Sequence, residues 1–203
     1  MTKPPNHDIE HNRAEHERVQ VSSVANLPSR YGTFKIQVFK AGEKEHLAIF
    51  TDPLPELPVV RIHSECLTGD ALGSLKCDCG SQIADTLRFI AREGGMVLYL
   101  RQEGRGIGLL NKVNAYALQD QGYDTVEANR LLGFGDDERT FGIAEYILEY
   151  YGIRAVRLVT NNPRKIAGLG AVEVVERLPC ITEPNACNVK YLGTKKKKLG
   201  HLF

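Results

Sequence analysis

The sequence predicts an α/β protein with a mixed β-sheet in a single compact domain, on three observations. From residue 80 onward, short apolar runs rich in β-branched and aromatic residues alternate with helical patterns. The first third is strand-rich, which makes the sheet mixed rather than wholly parallel. The chain has 203 residues, 42 % of them apolar, enough to bury one substantial core, and neither an internal repeat nor a long linker divides it.

Residues 1–20 read as a flexible N-terminal extension, because the stretch from Met1 to Arg18 is polar and His-rich and lacks the apolar segment of a signal peptide. The domain proper is expected over 21–203. Strands are predicted at 34–39, 47–50 and 59–62. Ile83, Leu87 and Ile90 then recur at helical spacing until Gly94-Gly95 stops the element. A strand at 97–100 precedes a helix marked by Leu109, Leu110, Val113, Tyr116 and Ala117 and ended near Gly122. Ile143, Ile147, Leu148 and Tyr151 mark another helix, ended at Gly152, and strands follow at 156–159 and 172–175. The lysine run at 195–198 reads as the solvated face of a terminal helix.

Charge and composition exclude several classes. A net charge of +1 gives no general field for nucleic acid or a membrane surface, and no apolar run approaches the ~20 residues that span a bilayer. Five cysteines, an odd number with three clustered, fit a reducing cytoplasm better than a disulfide framework.

Those three cysteines carry the first chemistry. Cys66, Cys77 and Cys79 lie within His63-Ser-Glu-Cys-Leu-Thr-Gly-Asp-Ala-Leu-Gly-Ser-Leu-Lys-Cys-Asp-Cys-Gly80. Three thiols can converge on one soft cation and leave a fourth position open, as a hydrolytic zinc requires. Side chains two apart on a strand share a face, and Gly80 would let the chain bend immediately afterwards. A closed structural site, completed by His63 or by Cys180 or Cys187, is the competing reading, although spacing makes the last two ordinary thiols. The polar company of His63, Ser64, Glu65, Asp70 and Asp78 favours the open site.

A second constellation suits phosphate. Arg101-Gln-Glu-Gly-Arg-Gly-Ile-Gly108 follows a strand and opens a helix, a turn that aims backbone N–H groups at an anion. Arg101 and Arg105 add guanidinium forks for bidentate phosphate contacts. Thr160-Asn-Asn-Pro-Arg-Lys165 repeats the pattern after the 156–159 strand, with Pro163 where a helix's first turn would begin. Two such turns at strand C-terminal ends fit a nucleotide polyphosphate.

Four motifs occurring in order carry a resemblance: Arg61-Ile-His-Ser-Glu-Cys-Leu-Thr-Gly-Asp-Ala, Lys76-Cys-Asp-Cys-Gly, Arg101-Gln-Glu-Gly-Arg-Gly-Ile-Gly-Leu-Leu-Asn-Lys, and Gln119-Asp-Gln-Gly-Tyr-Asp-Thr-Val-Glu-Ala-Asn129. From Val21 to the C-terminus the chain resembles GTP cyclohydrolase II of riboflavin biosynthesis. The resemblance implies a GTP hydrolase that releases formate from C8 and pyrophosphate, leaving 2,5-diamino-6-(5-phosphoribosylamino)pyrimidin-4(3H)-one. It implies zinc on Cys66, Cys77 and Cys79, magnesium with the substrate phosphates, and a homodimer. Nucleotide-contacting positions fall on Arg61, Ile62, His63, Ser64 and Glu65, on Gln82, on Glu103, Gly104 and Arg105, and on Thr125, Thr160 and Lys165. Asp137 falls on a position described as proton acceptor, Arg139 on one described as nucleophile towards the α-phosphorus, and Tyr116 on a tyrosine close to the purine.

Chemistry leaves two of these roles open. A guanidinium with a pKa above ~12 has almost no free lone pair at neutral pH, so Arg139 reads equally as an electrostatic clamp, with Asp137 holding it and water attacking. Tyr116 lies on an apolar helical face, where packing competes with a donor role as formate leaves. The segment 168–172 is shorter than in the family pattern, and the extra N-terminal domain of bifunctional relatives that make dihydroxybutanone phosphate is not expected, so the chain should serve one branch of the pathway. Three other readings compete: an enzyme that opens the ring but retains the formyl group, a guanine-nucleotide sensor with a dead site, and a zinc-stapled nucleic-acid-binding module. Near-neutral charge without basic–aromatic interleaving weighs against the last.

Overall fold

The protein is described by a computed structural model at residues 19–189, 191–193, 200 and 202; residues 1–18 of the expected extension and the lysine run at 195–198 lie outside the described residues. Eight strands form one sheet: β1 (Gln20–Val21), β2 (Ala25–Ser29), β3 (Gly32–Ala41), β4 (Lys44–Phe50), β5 (Val59–Ser64), β6 (Gly95–Leu100), β7 (Ala155–Val159) and β8 (Glu173–Leu178). Six α-helices are described: α1 (Leu67–Asp70), α2 (Cys79–Glu93), α3 (Gly108–Asp120), α4 (Thr125–Leu131), α5 (Gly142–Tyr150) and α6 (Pro163–Ala167).

The sheet runs β1-β3-β4-β6-β5-β7-β8, with β2 also paired to β3. The β1 to β4 flank is antiparallel and joins β6 antiparallel. β5 pairs parallel with β6 and β7, and β8 parallel with β7. The expected mixed sheet is therefore present, split into an antiparallel N-terminal flank and a parallel C-terminal one.

Strand alternation sends neighbouring residues into two cores. Val60, Leu98 and Leu158 join Phe39, Ile147 and Leu148 on one face. Val59, Val97 and Val159 join Phe34, Leu87 and Ile90 on the other. Helix α5 thus covers the first face through Ile147 and Leu148, and α2 covers the second through Leu87 and Ile90. With both faces covered, β5 is buried from Val59 to His63, as its unbroken apolar start requires. Gly94 ends α2 at φ +77, donating its N–H to Ile90 O.

The predicted strands fall within β3 to β7, and the last differs. β8 spans 173–178, while Val172 packs into the core just before it. It ends the sheet order, and the exposed Glu173, Glu176 and Arg177 mask the alternation. β2 escaped because Pro28 sits inside it, tolerated on a strand with a single described partner. Helix α4 begins at a capping box: the Asp124 carboxylate accepts from Val126 and Glu127 N–H, and Glu127 accepts from Asp124 N–H.

Candidate active site

The C-terminal ends of β5, β6 and β7 open into one cleft, where parallel strands of α/β sheets commonly bind ligands. With its open mouth it holds about 1080 Å³, at the upper end of small-molecule clefts. His63, Ser64 and Glu65 enter it from β5, Glu103 to Arg105 from the turn after β6, and Thr160 and Lys165 from the turn after β7.

The three sulfurs meet on one side. Cys66 precedes α1, Cys77 lies in the turn before α2, and Cys79 opens α2, whose positive end favours a thiolate. Their sulfurs all lie within 4.8 Å of one another, with Cys66 and Cys77 Sγ 3.6 Å apart. Gly80 does not bend the chain as expected; it lies inside α2. A Cβ there would stand 2.3 Å from Gly69 O, and one at Gly69 would stand 2.7 Å from Cys77 Sγ. The two glycines serve close approach rather than flexibility. Neither Cys180 nor Cys187 joins the cluster.

Buried polar groups support the trio. Asp70 accepts from Cys66 N–H at 3.0 Å and from the Tyr99 hydroxyl at 2.9 Å, and meets His63 Nε2 at 3.1 Å. His63 Nδ1 faces Arg61 Nε at 3.4 Å, so both ring nitrogens are engaged and His63 does not close the metal site. Burial pushes His63 towards its neutral form, against the Asp70 carboxylate. Lys112, which the sequence reading did not single out, reaches from α3 to donate to Cys66 Sγ at 3.2 Å and Glu103 Oε1 at 2.8 Å. Burial alone would lower its pKa, but Glu103 and the Cys66 sulfur outweigh that and raise it. Donation from the neighbouring thiols Cys77 and Cys79, with the Lys112 charge, holds Cys66 well below the usual thiol range despite burial.

The turn after β6 is held by its own carboxylate. Glu103 accepts from Leu67 N–H at 2.6 Å and Gly104 N–H at 2.8 Å besides Lys112. Gly104 and Arg105 then take left-handed backbone at φ +63 and +64. At a non-glycine residue this costs roughly 1–2 kcal/mol. It aims Arg105 into the cleft, where its Nη2 is buried with no hydrogen-bond partner among the described residues. Arg101, expected beside it, instead turns away to pair with Glu65 at 2.9 Å. Its N–H donates to Nδ1 of buried His46 at 3.1 Å, fixing the start of the turn.

The third wall carries the remaining residues. Asp137 takes Arg139 Nε and Nη2 at 2.7 Å each, while Arg139 Nη1 donates to Ser64 Oγ at 3.2 Å. Burial works against ionisation of Asp137, but Arg139 and then Arg164 hold its carboxyl below the usual carboxylate range. Arg164, also not singled out, donates to Asp137 O and Arg139 O and pairs with the Asp137 carboxylate at 2.9 Å. Lys165 donates to Ile62 O at 2.7 Å and lines the cleft. Arg61 donates to Gln82 Oε1, and Gln82 to Asp78. The Tyr116 hydroxyl lies 3.2 Å from Thr68 Oγ1, and burial raises the pKa of its phenol.

Most expected site residues therefore line one cleft, Thr125 and Tyr116 among them. Two stand behind it. Ile62 is fully buried in the core, contributing its carbonyl to Lys165, and Asp137 backs Arg139. Asn129, Asn161 and Asn162 line the cleft without having been expected; all three stood inside the quoted motifs, unmarked by charge.

Comparison with known proteins bears on the whole region. The family profile of GTP cyclohydrolase II matches residues 19–179. A GTP cyclohydrolase-2 of Campylobacter hominis is 59 % identical over 185 residues, covering 91 % of this chain and 96 % of that one. One from Helicobacter acinonychis is 58 % identical over 191 residues, covering 92 % and 100 %, and one from Campylobacter fetus subsp. fetus 57 % over 188, covering 90 % and 95 %. A solved structure described as RibBX, a two-domain 3,4-dihydroxy-2-butanone 4-phosphate synthase from A. baumannii, is a remote likeness, with a TM-score of 0.48 and 17 % identity over 87 % of this chain and 44 % of that one. The match takes in the cysteine trio and both basic turns, and the chain belongs to the GTP cyclohydrolase II family of hydrolases.

Proposed function

We propose that this chain hydrolyses GTP in riboflavin biosynthesis, releasing formate from C8 and pyrophosphate, and leaving 2,5-diamino-6-(5-phosphoribosylamino)pyrimidin-4(3H)-one. One observation carries the reading: three convergent sulfurs and two cation-bearing turns open onto the same cleft. The soft, close-set donor trio without a fourth cysteine fits a zinc ion with an open position. Cys66, Cys77 and Cys79 would hold it, and when bound it supplies Lewis acidity for hydrolysis at C8.

The chain's own groups do the rest. Arg105 offers its unpaired nitrogen, and Lys165 its ammonium, to the phosphates. Magnesium bound with those phosphates would offset their charge. Tyr116, kept protonated by burial, donates a hydrogen bond near the purine. Arg139 acts as a clamp on the phosphoryl transition state, not as a nucleophile: its Nε and Nη2 both donate to the Asp137 carboxylate, and a guanidinium has almost no free lone pair to attack with. Asp137, held below the usual range, is a weak base and a good counter-ion. Rapid quenching of a single turnover, followed by mass spectrometry, is expected to show no guanylyl–protein adduct; a trapped adduct on Arg139 would sink the clamp. The working form is taken to be a cytoplasmic homodimer without nucleic-acid or membrane partners.

The overall test is incubation of zinc-loaded protein with GTP and Mg²⁺, quantifying formate and pyrophosphate together. Equal yields are expected. Pyrophosphate without formate would instead establish a formyl-retaining enzyme, and neither product would remove the hydrolase reading.

A further inference from the structure

Lys112 is a buried cation to which the proposed reaction gives no task. It is 8 % exposed, on the first turns of α3, and its Nζ touches residues from two other parts of the site. The lysine ammonium has three donors to place. Here Nζ meets Glu103 Oε1 at 2.8 Å and also stands 3.2 Å from Cys66 Sγ, with the Tyr116 ring centroid 5.7 Å away. Glu103 is fixed in turn by Leu67 and Gly104 N–H, so the ammonium is held from a rigid base.

The chemistry of the trio gives this contact a purpose. Three thiolates on a divalent ion leave a formal charge of −1, and strong sulfur donation weakens the ion's Lewis acidity. A charge-assisted hydrogen bond to one sulfur draws electron density back from the metal. We propose that Lys112 is a positioning residue that tunes the metal site through Cys66, with Glu103 holding it in place. The inference rests on the reading of Cys66, Cys77 and Cys79 as metal ligands.

Cobalt(II) in place of zinc makes the effect visible, because sulfur-to-cobalt charge transfer absorbs in the near ultraviolet. Wild-type protein should bind one equivalent with that band. In Lys112→Met the sulfur lone pairs rise in energy, so the band should move to longer wavelength. Lys112→Arg should return it towards the wild-type position. Glu103→Gln puts a donor where Leu67 or Gly104 N–H needs an acceptor and loosens the hold on Lys112, so the band should move to longer wavelength by less than in Lys112→Met; this smaller shift keeps the test sharp if Lys112→Met does not fold. With zinc, formate release by Lys112→Met should slow roughly tenfold, as is typical when an outer partner of a metal ligand is lost. A band unmoved in Lys112→Met and Glu103→Gln, beside a normal wild-type band, would overturn the role of Lys112 alone. Absence of any thiolate band in wild-type protein would overturn the metal reading and this inference together.

Discussion

At the metal end of the cleft the supporting side chains are satisfied inside the protein, while at the phosphate end one arginine nitrogen is not. Asp70 is taken up by Cys66, His63 and Tyr99, and Glu103 by Leu67, Gly104 and Lys112. Arg105, by contrast, sits in left-handed backbone with a buried guanidinium nitrogen unpaired among the described residues. The first end is complete before a ligand arrives, and the second is completed by one. Preorganised donors suit bond-breaking at a fixed centre, whereas an unpaired cation gains its full interaction only when phosphate enters.

Four experiments bear on that contrast. The largest effect is expected from Cys77→Ala, which should lose bound zinc and reduce formate release to background; metal analysis beside the formate assay checks it. Next, Arg139→Ala should slow pyrophosphate release by about 10²–10³-fold, the usual cost of removing one preorganised transition-state donor. Zinc content should stay intact, and a matching loss of metal would erase the division between the two ends.

A third effect is on stability and belongs to the phosphate end. Burial, Lys44 and Arg101 lower the pKa of His46 from 6.5 to about 4. Between those values the unfolded chain binds a proton that the folded one refuses, so this contribution is intact above pH 6.5 and lost as pH falls towards 4. It amounts to at most about 3 kcal/mol, and protonation would also remove the acceptor for Arg101 N–H. Urea midpoints across that window should fall less in His46→Gln than in wild type. Smallest is Arg105→Gly: it relieves the left-handed strain but adds chain entropy to the unfolded state. Stability should change by less than about 1 kcal/mol while KM for GTP rises. A large destabilisation would mean that Arg105 is structural like its metal-end counterparts.

Much of this was legible in the sequence, and the omissions follow a pattern. Buried strands such as β5 and β6 were readable because their apolar runs have few other uses, and the cysteines and glycine-rich turns because spacing itself constrains chemistry. The α4 capping box, Asp124 with Glu127, was present in the letters and passed over. Lys112 was different in kind. Beside the apolar pattern of Leu109, Leu110, Val113 and Tyr116 it reads as a solvated lysine, yet Leu110 and Val113 are the exposed side chains, and the approach of α1 and the 103–106 turn makes Lys112 a buried donor. Arg164 and Arg101 teach the same lesson in opposite senses, since neighbouring chain decides whether a guanidinium faces the ligand, backs the wall or turns away.

Gly69 and Gly80 set a design rule for anyone moving this centre to another scaffold. Neither is in the left-handed region; each is small because backbone or sulfur occupies the space a methyl group would need. A graft that copies the three cysteines and fills either position with alanine would pry the two helix starts apart and spread the sulfurs. The transplantable unit is five residues, two of them defined by the atoms they lack.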